Sequence, residues 1–220
     1  MRPDFAHVDT WIVDLDRTLY PPRVDLFGQM HPLMSRYLMV ELGVDADEAD
    51  RLRDLYDQEH GTLLAGLVAN HGVDPMRYLH EVHEIDLSVL TPDPDLAAAI
   101  DALPGRRIVF TNGPRHYARR VTDALGLGGA FDALYGVDDA GMVSKPALAA
   151  YEAIRAADGF DPARGAMFED MPRNLAVPRM WGMRTVLVGP DAAPGGDADH
   201  ATDDLAAFLA ALAPEAAQAS

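Results

Sequence analysis

The stretch that decides the fold is Trp11-Ile12-Val13-Asp14-Leu15-Asp16-Arg17-Thr18, an apolar run followed by two carboxylates two positions apart. A short apolar run bounded by polar residues is typical of a buried strand in a parallel sheet. Ligands of such sheets bind beyond the carboxyl ends of the strands, where Asp14 and Asp16 would lie. The stretch therefore predicts a strand that ends at a site, although a solvated, Asp-rich turn explains this motif equally well when it is taken by itself.

Outward from this stretch, the second half of the chain alternates apolar runs with helix-length segments. The apolar runs cover residues 107–110, 165–168 and 185–188, and the helical segments cover residues 118–125, 147–157 and 174–181. Alternation of this kind is typical of a doubly wound sheet with helices on both faces. The predicted fold class is therefore α/β, with a Rossmann-like, three-layer α/β/α core and a mainly parallel sheet.

Residues 21–92 interrupt this alternation. Leu26, Met30, Leu33, Tyr37 and Val40 recur at the three- and four-residue spacing of a helix. The Pro-rich segment 91–94 then favours extended chain that leads back to the core. We predict a core of residues 1–20 and 93–220, with an inserted helical cap domain of residues 21–92 after the first strand. Residues 213–220 are expected to fray.

The composition restricts the partners of the chain. Its 220 residues carry 18 Lys and Arg against 35 Asp and Glu, a formal charge of −17. Because affinity for nucleic acids comes largely from clustered cations, we expect no nucleic-acid polymer as partner. The chain has no Cys and no apolar stretch long enough to span a membrane, so a cytoplasmic protein without membrane contact is expected. The sequence leaves a monomer and a homodimer equally open.

Three further groups of polar residues follow or separate the later strands. Thr111-Asn112-Gly113 follows the second apolar run and Glu169-Asp170 follows the third, while Lys145 stands between them. Taken singly, these groups have simple explanations: a turn at a strand end, a helix N-terminal acid pair and a solvated cation. The glycine would also let the backbone approach an anion closely.

Taken together, the groups contain what phosphoryl transfer requires: a nucleophile, a cation and donors for the phosphoryl oxygens. Asp14 would attack phosphorus and form an aspartyl-phosphate. Asp16 would protonate the leaving oxygen and then deprotonate water, which requires a raised pKa. The oxygen ligands of Mg²⁺ would come from Asp14 and Asp170, with Glu169 beside them. Thr111, Asn112, Gly113 and Lys145 would bind a small phosphorylated metabolite.

The same residues resemble, in order and spacing, the four motifs of the haloacid dehalogenase-like (HAD) superfamily of hydrolases. The motifs are Asp14-Leu15-Asp16-Arg17-Thr18, Thr111-Asn112-Gly113, Lys145-Pro146 and Glu169-Asp170. The resemblance covers most of the chain and implies an Mg²⁺-dependent hydrolase with a cap after the first strand. It further implies that the backbone carbonyl of Asp16 is a metal ligand. Because the superfamily's dehalogenases carry another residue at the Asp16 position, it also implies phosphatase or phosphomutase chemistry.

Finer features resemble the pyrimidine 5′-nucleotidase subgroup, notably Leu19-Tyr20-Pro21 and residues 168–175. This resemblance implies a pyrimidine nucleoside 5′-monophosphate as substrate. A sugar phosphate or phosphoglycolate is the alternative substrate, and a metal- or ligand-sensing binding module is the non-enzymatic alternative. The chain departs from the subgroup pattern at Arg17, where Asn is usual, and at Tyr117, where His is usual.

Some candidates lie outside the motifs. Arg115 would help bind an anionic substrate, with a solvated helix face as the alternative. Gln29, Tyr56 and His60 are candidate contacts to the leaving group. His80 and His83 are close enough in sequence to touch one metal, but they do not form the H-E-x-x-H zinc motif, and ordinary surface or packing roles explain them better.

Overall fold

The computed structural model describes residues 3–213. Its strands are β1 (Thr10–Val13), β2 (Arg106–Phe110), β3 (Ala133–Tyr135), β4 (Gly165–Glu169), β5 (Arg184–Val188) and β6 (His200–Thr202). The described residues form a six-stranded sheet with the order β3-β2-β1-β4-β5-β6, in which each neighbouring pair is parallel. The predicted parallel α/β fold is therefore confirmed.

Helices cover both faces of the sheet. They are α5 (Pro94–Asp101), α6 (Arg115–Ala124), α7 (Leu148–Asp158), α8 (Ala176–Met180) and α9 (Leu205–Ala210). Trp11 and Val13 of β1 pack in the same hydrophobic cluster as α5, α6 and α9, whereas Ile12 packs in another cluster with α7 and α8. Because alternate side chains of a strand point to opposite faces, β1 anchors both outer layers and gives the predicted three-layer core.

The insert between β1 and α5 is helical, as predicted. Its helices are α1 (Phe27–Leu42), α2 (Ala46–His60), α3 (Leu63–His71) and α4 (Pro75–Val82). Side-chain caps start α2 and α4: Asp45 accepts a 2.9 Å hydrogen bond from the amide of Glu48, and Asp74 accepts one of 2.9 Å from the amide of Met76. The helices of the insert pack in a second hydrophobic cluster, which includes Leu38 and Leu67 and also Val137 of the core. The domain boundaries at residues 20–21 and 92–93 stay predictions.

Two strands were not predicted from the sequence. Strands β3 and β6 lie at the edges of the sheet, contain three residues each and are only partly buried, so they lack the continuous apolar run of a central strand. The predicted helix at 174–181 is divided into a 3₁₀ turn at Pro172–Leu175 and helix α8. The expected fraying concerns residues 213–220, of which 214–220 lie outside the described residues.

A search of the described residues finds no helix with the length and apolar character that a membrane crossing requires.

Candidate active site

The predicted site residues lie at the carboxyl ends of three adjacent strands in the middle of the sheet. Central strand β1 pairs with β2 on one side and β4 on the other, and Val13 is in register with both Val109 and Phe168. The chain leaves β1 at Asp14, leaves β2 at Thr111 and ends β4 at Glu169. Parallel pairing alone therefore brings together three segments that are far apart in the sequence.

Asp14, Lys145 and Glu169 form a buried charged group. The ammonium Nζ of Lys145 lies 2.7 Å from Oδ1 of Asp14 and 2.7 Å from Oε2 of Glu169, and it donates a third hydrogen bond of 2.9 Å to the carbonyl of Phe110. These bonds use all three ammonium protons. Burial opposes the charge on Lys145, but Asp14 and Glu169 outweigh burial and raise the pKa of Lys145 above its ordinary value. Lys145 is therefore charged and holds both carboxylates in place.

The Thr111-Asn112-Gly113 loop fixes the position of Lys145. Asn112 accepts a 2.8 Å hydrogen bond from the backbone amide of Lys145, and its own side-chain amide donates a 3.1 Å bond to the Lys145 carbonyl. Thr111 is buried, and its hydroxyl oxygen accepts a 3.0 Å bond from the amide of Gly113. The side chain of Asn112, predicted to bind substrate, thus joins two motif loops.

Asp16 is held by two tyrosine hydroxyls. Its Oδ1 accepts hydrogen bonds of 2.5 Å from Tyr20 and 2.8 Å from Tyr117. Burial and the negative charge of Asp14 raise the pKa of Asp16, the two hydroxyls lower it, and the net pKa is about 6. A carboxyl group with this pKa exchanges a proton near neutral pH, which a general acid and base must do. Tyr117, one of the two departures from the subgroup pattern, is one of its direct partners.

The carboxylates fit a hard divalent cation. Asp14, Glu169 and Asp170 each offer a ligand atom, and these atoms lie within 4.8 Å of one another. Burial and the charge of Glu169 together raise the pKa of Asp14 to about 6 in spite of Lys145, and burial and the charge of Asp14 raise the pKa of Asp170 to about 6. Several crowded carboxylates with one lysine between them leave negative charge uncompensated. Such a set of oxygen donors suits Mg²⁺.

A cavity of about 490 Å³ lies between these residues and the helical insert. The motif residues on its wall are Asp14, Asp16, Thr111, Asn112, Gly113, Lys145, Glu169 and Asp170. All four helices of the insert contribute to the opposite side, with apolar residues such as Phe27, Met34 and Leu64. Three arginines, Arg17, Arg53 and Arg173, also line it. Because carboxylates also line the cavity, it would suit an anion when a cation is bound at Asp14, Glu169 and Asp170.

The structure keeps four of the predicted residues out of the cavity wall. Arg115 pairs with Asp139 through its guanidinium. The side-chain amide of Gln29 donates a 2.9 Å hydrogen bond to the carbonyl of Asp86 and accepts one of 2.9 Å from the backbone amide of the same residue. Tyr56 bonds to His71 at 2.6 Å, and His60 bonds to Asn70 at 3.1 Å. In this structure each of the four side chains has another partner, and the substrate contacts predicted for them stay predictions.

Several residues of the cavity wall were not predicted from the sequence. Arg53 comes from α2 and Arg173 from the turn after β4. Asn174, which also lines the cavity, is buried, and its Oδ1 has no hydrogen-bond partner among residues 3–213. The proximity of Arg173 and Asn174 to the Glu169-Asp170 motif was an available signal. No local pattern could have indicated Arg53, because its place depends on how the insert packs.

One relative of known name comes from yeast. The sequence is 30% identical over 142 residues to phosphate metabolism protein 8 of Saccharomyces cerevisiae, and the match covers 60% of this chain. The chain spans only 44% of that relative's length.

Solved structures show the same fold at low sequence identity. The HAD-hydrolase YfnB of Bacillus subtilis, described bound to magnesium, aligns with a TM-score of 0.58 and 16% identity, covering 93% of this chain and 98% of the other. L-2-haloacid dehalogenase of Xanthobacter autotrophicus aligns with a TM-score of 0.55 and 17% identity, again covering 93% and 98%. The family model for haloacid dehalogenase-like hydrolase matches residues 8–177. This match extends from the segment before β1 through β4, so the chain belongs to the haloacid dehalogenase-like hydrolase family.

Proposed function

We propose that this hydrolase is an Mg²⁺-dependent phosphomonoesterase that works through an aspartyl-phosphate on Asp14. The observation that carries the proposal is the pair of aspartates at the end of β1. Asp14 is fixed by Lys145, and Asp16, two residues on, is held by Tyr20 and Tyr117 with a pKa of about 6. This arrangement supports a role for Asp14 as the nucleophile and for Asp16 as the proton donor.

The reaction would proceed in two steps. A carboxylate oxygen of Asp14 forms a bond to phosphorus while the ester P–O bond breaks, and the proton of Asp16 goes to the leaving oxygen. Ionised Asp16 then takes a proton from water, whose oxygen attacks phosphorus and breaks its bond to Asp14. Asp14 is regenerated and inorganic phosphate leaves, so one acid-base group serves both steps.

The remaining motif residues would orient and neutralise the phosphoryl group. Asp14, Asp170 and the backbone carbonyl of Asp16 would hold Mg²⁺, with Glu169 beside them; when bound, the ion supplies positive charge to the phosphoryl oxygens. Backbone and hydroxyl donors of Thr111, Asn112 and Gly113 would bind those oxygens. Lys145, whose donors are already engaged, would act first by positioning Asp14.

Asp16 favours phosphoester hydrolysis over dehalogenation. A halide leaves as a stable anion and needs no proton, whereas an alkoxide is strongly basic and leaves far more easily when it is protonated. A buried acid with a pKa of about 6 beside the nucleophile therefore helps an alkoxide to leave, whereas the departure of a halide does not need it. The structural likeness to dehalogenases concerns the fold.

For the substrate, we propose a pyrimidine nucleoside 5′-monophosphate. Apolar residues of the insert offer a surface for a base, while Arg53 and Arg173 can contact polar groups. A sugar phosphate or phosphoglycolate is the alternative. The yeast relative's name, phosphate metabolism protein 8, fits either choice. YfnB is described as revealing interdomain movement, and we propose that the insert of this chain likewise moves to admit substrate and exclude water.

The test is phosphate release from UMP, CMP, AMP, sugar phosphates and phosphoglycolate, with and without Mg²⁺. We expect Mg²⁺-dependent release, highest with UMP or CMP, and a trapped acyl-phosphate on the peptide that contains Asp14. A preference for a sugar phosphate would refute the proposed nucleotide substrate but would be compatible with the proposed mechanism. If no phosphomonoester, including a generic aryl phosphate, is hydrolysed under any metal condition, the phosphatase proposal fails and the metal- or ligand-sensing module is favoured.

A further inference from the structure

A second group of metal-ligating side chains lies where the insert meets the core. His80 is on α4, Glu84 follows one helical turn later, and His116 is on α6 of the core. Each side chain offers one ligand atom, and these atoms lie within 4.8 Å of one another. The ring centroids of His80 and His116 are 5.8 Å apart. This cluster contains none of the residues of the candidate active site.

His116 is the member of the cluster that has a ring nitrogen without a hydrogen-bond partner among the described residues. Its Nε2 is shielded from solvent and has no hydrogen-bond partner in the described part of the chain. Burial lowers the pKa of His116, and the neighbouring His80 lowers it further. A neutral imidazole with a free nitrogen is the form that binds a metal, whereas a buried nitrogen without a partner is costly.

The other two members can complete a coordination site. Glu84 forms a 3.1 Å ion pair with Arg120 through Oε1, and Oε2 is left for a second partner. A tetrahedral ion with bonds of about 2.1 Å needs its ligand atoms about 3.4 Å apart. His80 and Glu84 are exposed, so rotation of their side chains can close the remaining gap without moving the backbone.

We propose that His80, Glu84 and His116 bind one divalent transition-metal ion of the Zn²⁺ type and that this ion ties the insert to the core. Two imidazoles and one carboxylate form a ligand set typical of Zn²⁺. Mg²⁺, which prefers oxygen ligands, is expected at the carboxylates of the first site instead. The two sites therefore differ in the metal that they select.

The cluster lies between α4 of the insert and α6 of the core, so an ion bound to it would act as a clamp that holds these two helices together. His83 lies between His80 and Glu84 in sequence, and its ring packs 4.8 Å from that of Tyr117, the residue after His116. Arg120 of α6 also donates hydrogen bonds to the backbone carbonyls of His83 and Ile85 at 3.1 and 2.9 Å. An ion bound here would thus strengthen an existing contact between α6 and the end of α4.

The test titrates Zn²⁺ into the metal-free full-length chain and compares single variants by calorimetry. We expect a binding event that His80→Ala and His116→Ala each weaken by about tenfold or more. Because His80 is exposed, His80→Ala should not disturb folding. His7→Ala is the matched control. His7 precedes β1, at the end of the strand that lies away from the active site, and the variant should bind Zn²⁺ like the wild type. Asp170→Asn should also keep this event.

Hydrogen exchange tests the clamp separately from binding, and neither measurement depends on catalysis. Zn²⁺ should slow amide exchange around residues 78–84 and 115–118 in the wild type and leave both segments unchanged in His80→Ala. Equal Zn²⁺ affinity of the wild type and His116→Ala, or loss of the event only in Asp170→Asn, would overturn the site. If Zn²⁺ slows exchange in residues 78–84 but not in residues 115–118, the proposal that the ion links the insert to α6 is wrong.

Discussion

The hydroxyl of Tyr117 donates a 2.8 Å hydrogen bond to Oδ1 of Asp16, across 101 residues of sequence. Tyr117 has no exposed surface, and its ring lies between His83 of the insert and Asp16 of the core. One of the two positions at which the chain departs from the nucleotidase pattern therefore contacts the proposed acid directly. An effect of this departure is expected on the chemistry as well as on substrate choice.

Tyr117→Phe should lower kcat by about tenfold or more, since a hydrogen bond to a charged group contributes roughly 1.5–3 kcal/mol. The lost bond favours the ionised form of Asp16, so its removal should raise the pKa of Asp16 and move the alkaline limb of the pH profile to higher pH. Steady-state kinetics across pH measure both effects. Tyr20→Phe removes the other hydroxyl and should shift the profile the same way; an unshifted profile in both variants would contradict the role of Asp16.

Asp14→Asn should lower turnover by about four orders of magnitude or more, because a residue that forms the covalent intermediate has no substitute. The fold should persist, since Lys145 keeps Glu169 and the Phe110 carbonyl as partners. Phosphate release and circular dichroism measure the two properties. Asp9→Asn, at the other end of the same strand, is the control and should keep full activity. Undiminished hydrolysis by Asp14→Asn would refute the nucleophile assignment.

The predictable parts of this protein are those that a local pattern determines. Each central strand contains a buried apolar run, so β1, β2, β4 and β5 could be recognised, and the residues directly after β1, β2 and β4 had to meet at the carboxyl ends of the strands. Edge strands β3 and β6 bury less surface and carried no such pattern.

Contacts that depend on tertiary packing could not be predicted. The bond between Tyr117 and Asp16 requires α6 to pack across the end of β1, and the cavity position of Arg53 requires a particular orientation of the insert. The sequence brings His83 close to His80, but the possible ligand atoms that lie near His80 in the structure belong to Glu84 and His116. His83 instead bonds the carbonyl of Leu79 at 2.8 Å and is buried.

Lys145→Met should destabilise the fold by about 3–5 kcal/mol, because it leaves two buried carboxylates without their cation. Its side chain is almost fully buried between Asp14 and Glu169. Urea denaturation without Mg²⁺ measures the loss. Adding Glu169→Gln to Lys145→Met removes one of the unpaired charges and should restore part of the stability. If the double variant is less stable than Lys145→Met, the charge explanation is wrong.

Mg²⁺ should stabilise the wild type by roughly 2.7 kcal/mol when its concentration is a hundred times Kd. Asp170→Asn removes a proposed ligand and should abolish most of this gain. Thermal melting with increasing Mg²⁺ measures it. Asp101→Asn, which alters a surface ion pair with Arg107, controls for weak binding to an acidic surface and should respond like the wild type. Equal responses of all three proteins would argue against a metal at Asp170.

His83 should make the protein less stable as the pH falls from 6.5 to 4. Burial lowers the pKa of His83 from 6.5 to about 4, so the folded protein keeps the ring neutral. Above pH 6.5 the ring is neutral in both states; below it, the unfolded chain takes up a proton that the folded protein does not, and up to about 3 kcal/mol is lost.

The raised pKa values of Asp14, Asp16 and Asp170 act in the opposite direction and are present in every variant of His83. His83→Asn, whose side-chain amide can still donate to the Leu79 carbonyl, should therefore lose less stability than the wild type over this range. Urea denaturation of both proteins at pH 7.5, 6 and 5 measures the difference. Parallel curves would mean that His83 is protonated equally in the folded and unfolded states.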